Sequence, residues 1–495
     1  FVSPGRILAI AAVLLVAVVT TRTVTRARGA SPEELRSLAV LPFTNLSADR
    51  DDEYFSDGMT EELIVTLGRV EGLNVASRTS AFAYKDRRAD VREIGRQLGV
   101  DAVVEGSVRR SGSSLRITTQ LVDARSGYRL WSDTYDREAG DLVAIQEEIA
   151  RAIVRRMAGS LQAEQAPAQQ GGGASSNFEA YDLYLRGRYA WHQRSRAGLQ
   201  QAIDYFARSV ELDPGYARAY AGLGDAYAVS AFYDYLAPST AYPRADSAAQ
   251  RALQLDPGLA AAHATVGYVL TYFHLDWERA EEAFKRAIDL DASYSVAHQW
   301  YGNLLTVAGR FADAEQEFRL AQETDPLSLI ASAAHGWSLY YAGRHAAALE
   351  QVRTTLALND RYALAHLWGG WALEALGRGA EARDWLTRAD AHAGGSDITR
   401  LALAHALAGS DSGRDSARAI VSAAEQRRGG GEYVSAYEIA KVHLALGDRA
   451  QARRWLRSAV EDRSHSRAFL RVDPQLAPLR GNAEFERLVA STLRR

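Results

Sequence analysis

The feature that most limits how this chain can fold is a repeated spacing of 34 residues in its second half. Short related segments end at Pro214, Pro257, Ala292, Pro326 and Asp360. The steps between these positions are 43, 35, 34 and 34 residues. A unit of this length holds two short helices, and such a pair cannot bury its apolar side alone. Consecutive units must therefore pack against one another, and we expect a stack of helix pairs.

Small residues recur at the same spacing, at positions where a helix pair needs them. In the unit 294–326, Gly302 lets two helices approach closely, Gly309 turns the chain, and Ala314 and Phe318 face inward. This helix–turn–helix pattern with a 34-residue period resembles the tetratricopeptide repeat.

The resemblance implies an all-α superhelix of about eight units over residues 178–464. Two units carry insertions, and the larger insertion lies near residues 233–243. We interpret residues 465–495 as a C-terminal capping segment, with a polar-faced helix after a proline-bearing turn.

Certain positions on the first helix of a tetratricopeptide unit face the concave groove of the superhelix. The resemblance implies that these positions are occupied here by Asp225, Tyr268, Asn303, Trp337, Tyr340, Trp371 and Glu374. Large aromatic side chains on an exposed groove are costly unless a partner covers them, and aromatic residues are frequent anchors in recognition. We expect the groove to bind protein or peptide partners. The alternative is that Trp337 and Trp371 only pack between repeats.

Residues 36–161 predict a separate α+β domain. The pattern favours strands at 37–43, 73–76, 102–110, 115–122 and 128–135, and helices near 57–70, 90–98 and 142–161. This order fits a layered α+β fold with its helices on one face of the sheet.

Acidic residues crowd the loop before the first helix of that domain: Asp49, Asp51, Asp52, Glu53 and Asp57. A calcium loop of the EF-hand type needs Gly at its sixth position and Glu at its twelfth, where this loop has Tyr54 and Thr60. Residues 1–161 contain no histidine that could assist a carboxylate in catalysis. We therefore expect a solvated turn and a helix cap at Ser56 or Asp57.

Several blocks of residues 36–161 together resemble the TolB-like amino-terminal domain. The blocks lie at residues 41–47, 54–64, 76–86, 90–112, 115–137 and 145–150. The resemblance implies a bacterial protein in which this domain follows a single membrane span and precedes tetratricopeptide repeats. It also implies a cytoplasmic effector upstream, which is a kinase, a nucleotide cyclase or a winged-helix domain, and a body outside the cytoplasm.

Residues 1–30 are predicted to be a membrane anchor and its flank. Arg6 and Arg22 bracket an apolar segment, residues 7–21, which is long enough for one transmembrane helix if the arginines reach toward the interfaces. A signal peptide and a buried helix are the alternatives. Arginines after the segment favour a cytoplasmic body, but we follow the resemblance and expect a single-pass inner-membrane protein with an extracytoplasmic body. Residues 162–177, rich in Gln, Ala, Gly and Ser, predict a flexible linker.

The remaining features argue against several classes of function. The net charge of -3 gives no basic face for nucleic acid, and there is no cysteine for a thiolate metal site. GxxxxGK[ST], HExxH and GxSxG are all absent from the sequence. The repeat histidines are far apart and fit packing roles. We therefore expect no catalytic residue, no cofactor and no metal site in this chain.

These observations predict a non-catalytic sensory or scaffold region of a membrane-anchored bacterial signalling protein. Its repeat groove would bind protein or peptide partners, and any kinase or cyclase activity would lie in sequence before Phe1. The alternatives are an architectural protein of an envelope complex without an upstream effector, and a cytoplasmic adaptor of an enzyme complex.

Overall fold

The computed structural model describes residues 35–157 and 175–492, apart from the single positions 71, 88, 113, 139, 141 and 176. Within these residues, no helix combines the length and the apolar character needed to cross a membrane. The predicted membrane segment, residues 7–21, and nearly all of the predicted linker lie outside the described residues.

The N-terminal region is an α+β domain around one mixed sheet. Its strands are β1 Ser37–Val40, β2 Thr44–Asn45, β3 Asn74–Val75, β4 Ala102–Ser111, β5 Ser114–Asp123 and β6 Arg129–Glu138. The order across the sheet is β3-β1-β4-β5-β6, and β2 pairs with β4. Strands β1, β3 and β4 pair in parallel, whereas β4, β5 and β6 form an antiparallel meander.

The helices of this domain cover both faces of the sheet. They are α1 Glu53–Gly68, α2 Arg78–Phe82, α3 Val91–Leu98 and α4 Leu142–Met157. Leu38 and Val40 face the core with α1 and α4, while Ala39 points to the other side and packs near Ile94 of α3. The expectation of helices on one face is therefore wrong, because successive residues of β1 are apolar on both sides.

The first helix begins earlier than the sequence suggested. Asp52 is at the N-cap position, and α1 starts at Glu53. Ser56 and Asp57 lie inside the helix and are buried, so neither acts as the predicted cap.

Residues 178–461 form eight helix pairs of the tetratricopeptide type. The pairs are α5 Phe178–His192 with α6 Arg196–Leu212, α7 Ala217–Phe232 with α8 Pro238–Leu255, α9 Ala260–Val269 with α10 Trp277–Leu290, α11 Ser295–Val307 with α12 Phe311–Thr324, α13 Leu329–Tyr341 with α14 His345–Leu358, α15 Ala363–Ala375 with α16 Gly379–His392, α17 Asp397–Ala408 with α18 Arg414–Gly429, and α19 Ala436–Ala445 with α20 Arg449–Glu461. Two 3-10 segments, His465–Phe469 and Pro474–Leu479, and helix α21 Ala483–Thr492 follow.

Close packing within each pair explains the recurring small residues. A Cβ atom on Gly302 would lie 3.0 Å from the ring of Phe318, and one on Gly267 would lie 2.9 Å from the ring of Phe284. A larger residue at either position would force the paired helices apart.

The one-residue insertion in the third unit is absorbed as a π turn. The step of 35 residues between Pro257 and Ala292 falls on this unit. Helix α9 continues into a π-helical turn, Leu270–His274, and Leu275 follows with φ 58°. An extra residue in a helix is commonly accommodated this way, often at functional sites.

Candidate functional site

The predicted groove residues lie on the first helices of the units, on the side that we call the inner face, and they are not exposed. Trp337 is 3% exposed and Trp371 is 6% exposed. Asp225, Tyr268, Asn303 and Tyr340 are also buried, and the Glu374 side chain is half-buried. The expectation of a solvent-exposed aromatic groove is therefore wrong. That these residues bind a partner stays a prediction.

The C-terminal tail of the chain, defined here as residues 463–482, covers part of this inner face. Phe469 reaches into an aromatic pocket on the inner face. Its ring centroid lies 5.5 Å from that of Trp337 in a T-shaped contact, 5.3 Å from that of Tyr341 in a stacked contact, and 6.1 Å from that of Tyr272. Such geometries favour aromatic pairs beyond the area that they bury.

Arginine side chains fix the tail at both ends of the Phe469 contact. Arg463 and Arg467 both donate to the carbonyl oxygen of Phe273, in the π turn. Arg471 donates to the carbonyl oxygen of Ala308 over 2.5 Å. The last carbonyl groups of a helix lack donors within the helix and carry the negative end of its dipole, so they attract guanidinium groups.

For residues 465–495 the sequence predicts a capping segment with a polar-faced helix after a proline-bearing turn. Helix α21 covers Ala483–Thr492, but the preceding residues form two 3-10 segments. His465, Phe469 and Leu476 are buried there. The sequence offered no signal for this packing beyond the apolar residues of the segment.

Trp371 lies under a cation from the last repeat. The Nζ atom of Lys441 is 4.5 Å from the centre of the Trp371 ring, and it forms a 2.9 Å ion pair with Glu438. Burial raises the pKa of Glu438, although Lys441 opposes the shift. Glu374, one turn beyond Trp371, contacts His405 at 3.1 Å and Gln475 of the tail at 3.5 Å.

Asp225 is a buried acid beside the inner face. Thr265 donates a hydrogen bond to it, and a nitrogen of Arg188 lies 3.9 Å from its carboxylate. Burial raises the pKa of Asp225 to about 6, against the opposing effects of Thr265 and Arg188.

Little space remains in the predicted groove. A cavity of about 30 Å³ is bordered by Tyr268, Asn303, Trp337 and residues of neighbouring helices. This volume has room for ordered water but not for a peptide side chain, and the residues that border it belong to the repeats and not to the tail.

A second long-range contact, which the sequence did not predict, joins the α+β domain to the repeats. We call it the domain junction, and its charged residues are Glu61, Glu62, Arg78, Arg188, His192 and Arg218. Glu61 accepts from Arg78 over 2.9 Å and from Arg188 over 2.7 Å, and it lies 3.3 Å from His192. Glu62 pairs with Arg218, and both side chains are buried.

The domain junction keeps its acid charged and its histidine neutral. Burial alone would raise the pKa of Glu61, yet the charges of Arg188 and Arg78 and the hydrogen bond with His192 hold that pKa well below its usual range. Burial and the nearby Arg78 lower the pKa of His192 to about 3. The cluster therefore holds an ionised Glu61 beside arginines out of water, which is stable only while its partners are present.

Hydrogen bonds from Tyr54 and Ser80 to carboxylates of the repeats extend the domain junction on both sides. Tyr54 donates to Asp182 of α5 over 2.5 Å. Further along the stack, Ser80 donates to Asp325 over 2.7 Å and accepts from the backbone of Leu327 over 3.0 Å. The α+β domain is thus packed against the first four units and is not a separate body.

Side chains of the acidic loop form ion pairs. Lys85 contacts Glu53 and Asp57 at 2.6 Å each, and Asp57 is buried. The expectation of a purely solvated turn is wrong for Asp57. No group of three or more His, Asp or Glu side chains in the described part of the chain is arranged to hold a metal ion.

Several repeat histidines close the turns between units. The Nε2 atoms of His263, His298 and His366 each lie within 3.3 Å of the carbonyl oxygen six residues earlier in the chain. This repeated local contact gives the histidines a structural role.

Comparisons with known proteins agree with the repeats and give a different description of the N-terminal domain. Residues 270–328 and 333–396 match the tetratricopeptide repeat, so the C-terminal part contains repeats of this type. Residues 34–152 match the second domain of HilA/YgeH-like transcriptional regulators. The TolB-like resemblance is therefore not what the comparison found for this region.

One curated relative covers part of the chain. It is a protein of Rhizobium meliloti (strain 1021) named putative adenylate cyclase 3, which is 42% identical over 187 residues. The match spans 38% of this chain and only 32% of the relative.

Two solved structures share helical repeats at low similarity. The type IV pilus biogenesis factor PilW is 17% identical, with a TM-score of 0.35 over 43% of this chain and 94% of PilW. PilF of Pseudomonas aeruginosa is 18% identical, with a TM-score of 0.32 over 56% of this chain and 98% of PilF. Neither likeness is close enough to bear on function.

Proposed function

We propose that this chain is the non-catalytic protein-interaction region of a bacterial signalling protein, and that it binds protein or peptide partners through the inner face of its repeats. The observation that carries the proposal is that this face already holds an irregular polypeptide segment, the tail, by aromatic and arginine contacts. A surface that can hold the tail has the shape and chemistry to hold a partner segment.

The signalling context rests on the partial relative. Because that relative is named a putative adenylate cyclase and the match spans about a third of it, we propose that an effector such as a cyclase lies elsewhere in the full protein. We keep the TolB-like resemblance, the single membrane span at residues 7–21 and the extracytoplasmic body as parts of this proposal. A reporter fused to the C-terminus should give an extracytoplasmic signal, and a cytoplasmic signal would contradict this topology.

The filled inner face also favours a second candidate. A stack whose groove is closed and whose two domains are joined by buried charges would suit an architectural protein of an envelope complex. Such a protein would use its outer surface, and substitutions on the inner face would affect only stability.

The two candidates differ in one experiment. The full chain is used to capture proteins from the native cell, and each captured protein is then purified and its direct binding measured. Trp371→Ala and Trp337→Ala should abolish that binding, while Leu376→Ala, at a side chain that is 38% exposed, should leave it unchanged. Equal binding by folded tryptophan variants would contradict groove binding and support the architectural candidate.

A further inference from the structure

We propose that the inner face recognises an aromatic side chain flanked on each side, two residues away, by arginine, and that the tail is a resident occupant which a partner peptide of this pattern displaces. The tail carries this pattern as Arg467, Phe469 and Arg471. The inference rests on the proposed function, because it gives the chemistry of the partner that the inner face would bind.

The first arginine contact depends on the π turn. The inserted residue changes the end of α9, so that the Phe273 carbonyl accepts from both Arg463 and Arg467. The guanidinium carbon of Arg463 also lies 3.7 Å from the centre of the Phe273 ring. The only single-residue insertion among the best-matched repeats thus falls where the tail is anchored.

The second arginine contact repeats the first on the next unit. Ala308 is the C-cap residue of α11, and its carbonyl accepts from Arg471. Two arginines of the tail, four residues apart, therefore bind the C-terminal ends of the first helices of two successive units. Each end offers free carbonyl oxygens and the negative end of the helix dipole, so the preferred flanking residue is cationic and can donate in several directions.

The aromatic residue between them fits a pocket that belongs to the repeats. Tyr272, Trp337 and Tyr341 come from two different units and surround Phe469. Each of these three residues lies on a helical segment of the stack and not in the tail.

Residues with a left-handed backbone conformation mark both ends of the tail. Arg463 adopts a left-handed backbone conformation with φ 55°, which is unfavourable for a residue with a Cβ atom. Gly481, near the other end of the tail, has φ 80°, which glycine adopts without strain. Between them the tail has 3-10 turns and no α-helix, so few helical hydrogen bonds are lost when it leaves.

The test uses the full chain and a fluorescent peptide with the sequence of residues 463–473, RSHSRAFLRVD. Binding is measured by fluorescence anisotropy. The wild-type chain should bind the peptide weakly, because the tail competes for the same site. Phe469→Ala, and separately Arg467→Ala with Arg471→Ala, should tighten binding about tenfold or more, because the competitor is weakened. Arg454→Ala, an exposed arginine of α20, is the matched control and should bind like wild type.

Two further measurements make the result decisive. Adding Tyr341→Ala to Phe469→Ala should remove the gained affinity, and a peptide with Ala in place of Phe should not bind any variant. Circular dichroism establishes that each variant is folded. The proposal is overturned if the folded Phe469→Ala and double-arginine variants bind the peptide no better than wild type.

Two outcomes separate the recognition chemistry of the inner face from its role in binding a cellular partner. If a purified partner binds the Phe469→Ala chain but the peptide does not, the recognition chemistry is wrong and the interaction function stands. If the peptide binds as expected but no cellular protein binds directly, the recognition chemistry stands and the interaction function fails.

Discussion

The domain junction is held by buried charges, whereas the tail is held on the inner face by stacked rings and by arginines at helix ends. Both contacts connect residues far apart in the sequence: Arg218 and Glu62 are 156 positions apart, and Arg467 and Phe273 are 194 apart. A buried ion pair demands its exact partner, because one member alone is left charged without solvent. Aromatic packing tolerates another ring of similar size. We therefore expect the domain junction to stay formed in the folded protein, and the tail to be replaceable on the inner face by another segment with an aromatic residue.

The two contacts also differ in the direction of their pH dependence. Glu61 at the domain junction has a folded pKa well below its usual range, so its stabilising effect is present above its unfolded pKa and is lost as the pH falls toward the folded value. Asp234 lies 3.5 Å from His465 of the tail. Burial and Glu438 raise the pKa of Asp234, so its contribution to stability is most favourable at low pH and declines as the pH rises.

The strongest way to break the comparison is to remove one member of a buried pair. Arg218→Ala leaves Glu62 buried without its partner, and we expect a loss of about 3–5 kcal/mol in the free energy of unfolding. Denaturant unfolding followed by circular dichroism measures it. Leu376→Ala is the control and should change stability by less than about 0.5 kcal/mol. If Arg218→Ala lowers the free energy of unfolding by less than about 1 kcal/mol, the buried pair does not hold the domain junction together.

The next largest effect is expected at the tail. Phe469→Ala removes a buried ring, and a typical loss for such a change is about 3–5 kcal/mol. We expect a loss of about 3 kcal/mol, because the proposed release of the tail would leave the repeats folded. Thermal unfolding should then keep its main transition, and a full loss of the repeat transition would argue that the tail is a structural core element.

Asp225 provides an intermediate effect with a defined pH range. Its pKa is raised to about 6, above the value of about 3.9 for an unfolded Asp. The stability associated with Asp225 is therefore fully present below about pH 4 and is lost as the pH rises through about 6. We compare the free energy of unfolding of Asp225→Asn with that of wild type at two pH values. Their difference should favour the variant by about 2–3 kcal/mol more at pH 7.5 than at pH 4. A difference that stays constant between these pH values would contradict the assignment.

The smallest expected effect comes from a single arginine of the tail. Arg471→Ala removes an exposed hydrogen bond to the Ala308 carbonyl, which is worth about 1 kcal/mol. Arg454→Ala in α20 is the matched control, and unfolding curves of the two variants should differ by that amount. Identical curves would show that the helix-end contact contributes nothing to holding the tail.

The repeat architecture could be predicted because its determinants are local. Gly302 and Phe318 are only 16 positions apart, and Ala314, Ala348 and Ala382 follow one another at 34 residues, so the pairing of neighbouring helices is visible in the spacing. The meander of β4, β5 and β6 was predicted for the same reason, because period-two alternation and short turns lie within about 40 residues.

The filling of the inner face could not be predicted, because it depends on how far the stack curves. The curvature of the stack brings Phe469 into contact with Trp337 and Lys441 into contact with Trp371. The sequence around these residues carries no pattern that predicts either contact. The step of 35 residues did mark the π turn, but not that its carbonyl would accept arginines. The charges of α1 were visible, while their partners in the repeats, Arg188 and Arg218, lie more than 120 positions away.

Hydrogen–deuterium exchange of the full chain tests most directly that the tail lies on the inner face. The amides of Val472 and Asp473 donate to the Phe469 carbonyl at 2.9 Å each. We predict that they exchange as slowly as the amides of α11 in the wild-type chain, and that Phe469→Ala makes them exchange quickly while α11 stays protected. Fast exchange of these amides in the wild-type chain would contradict the account.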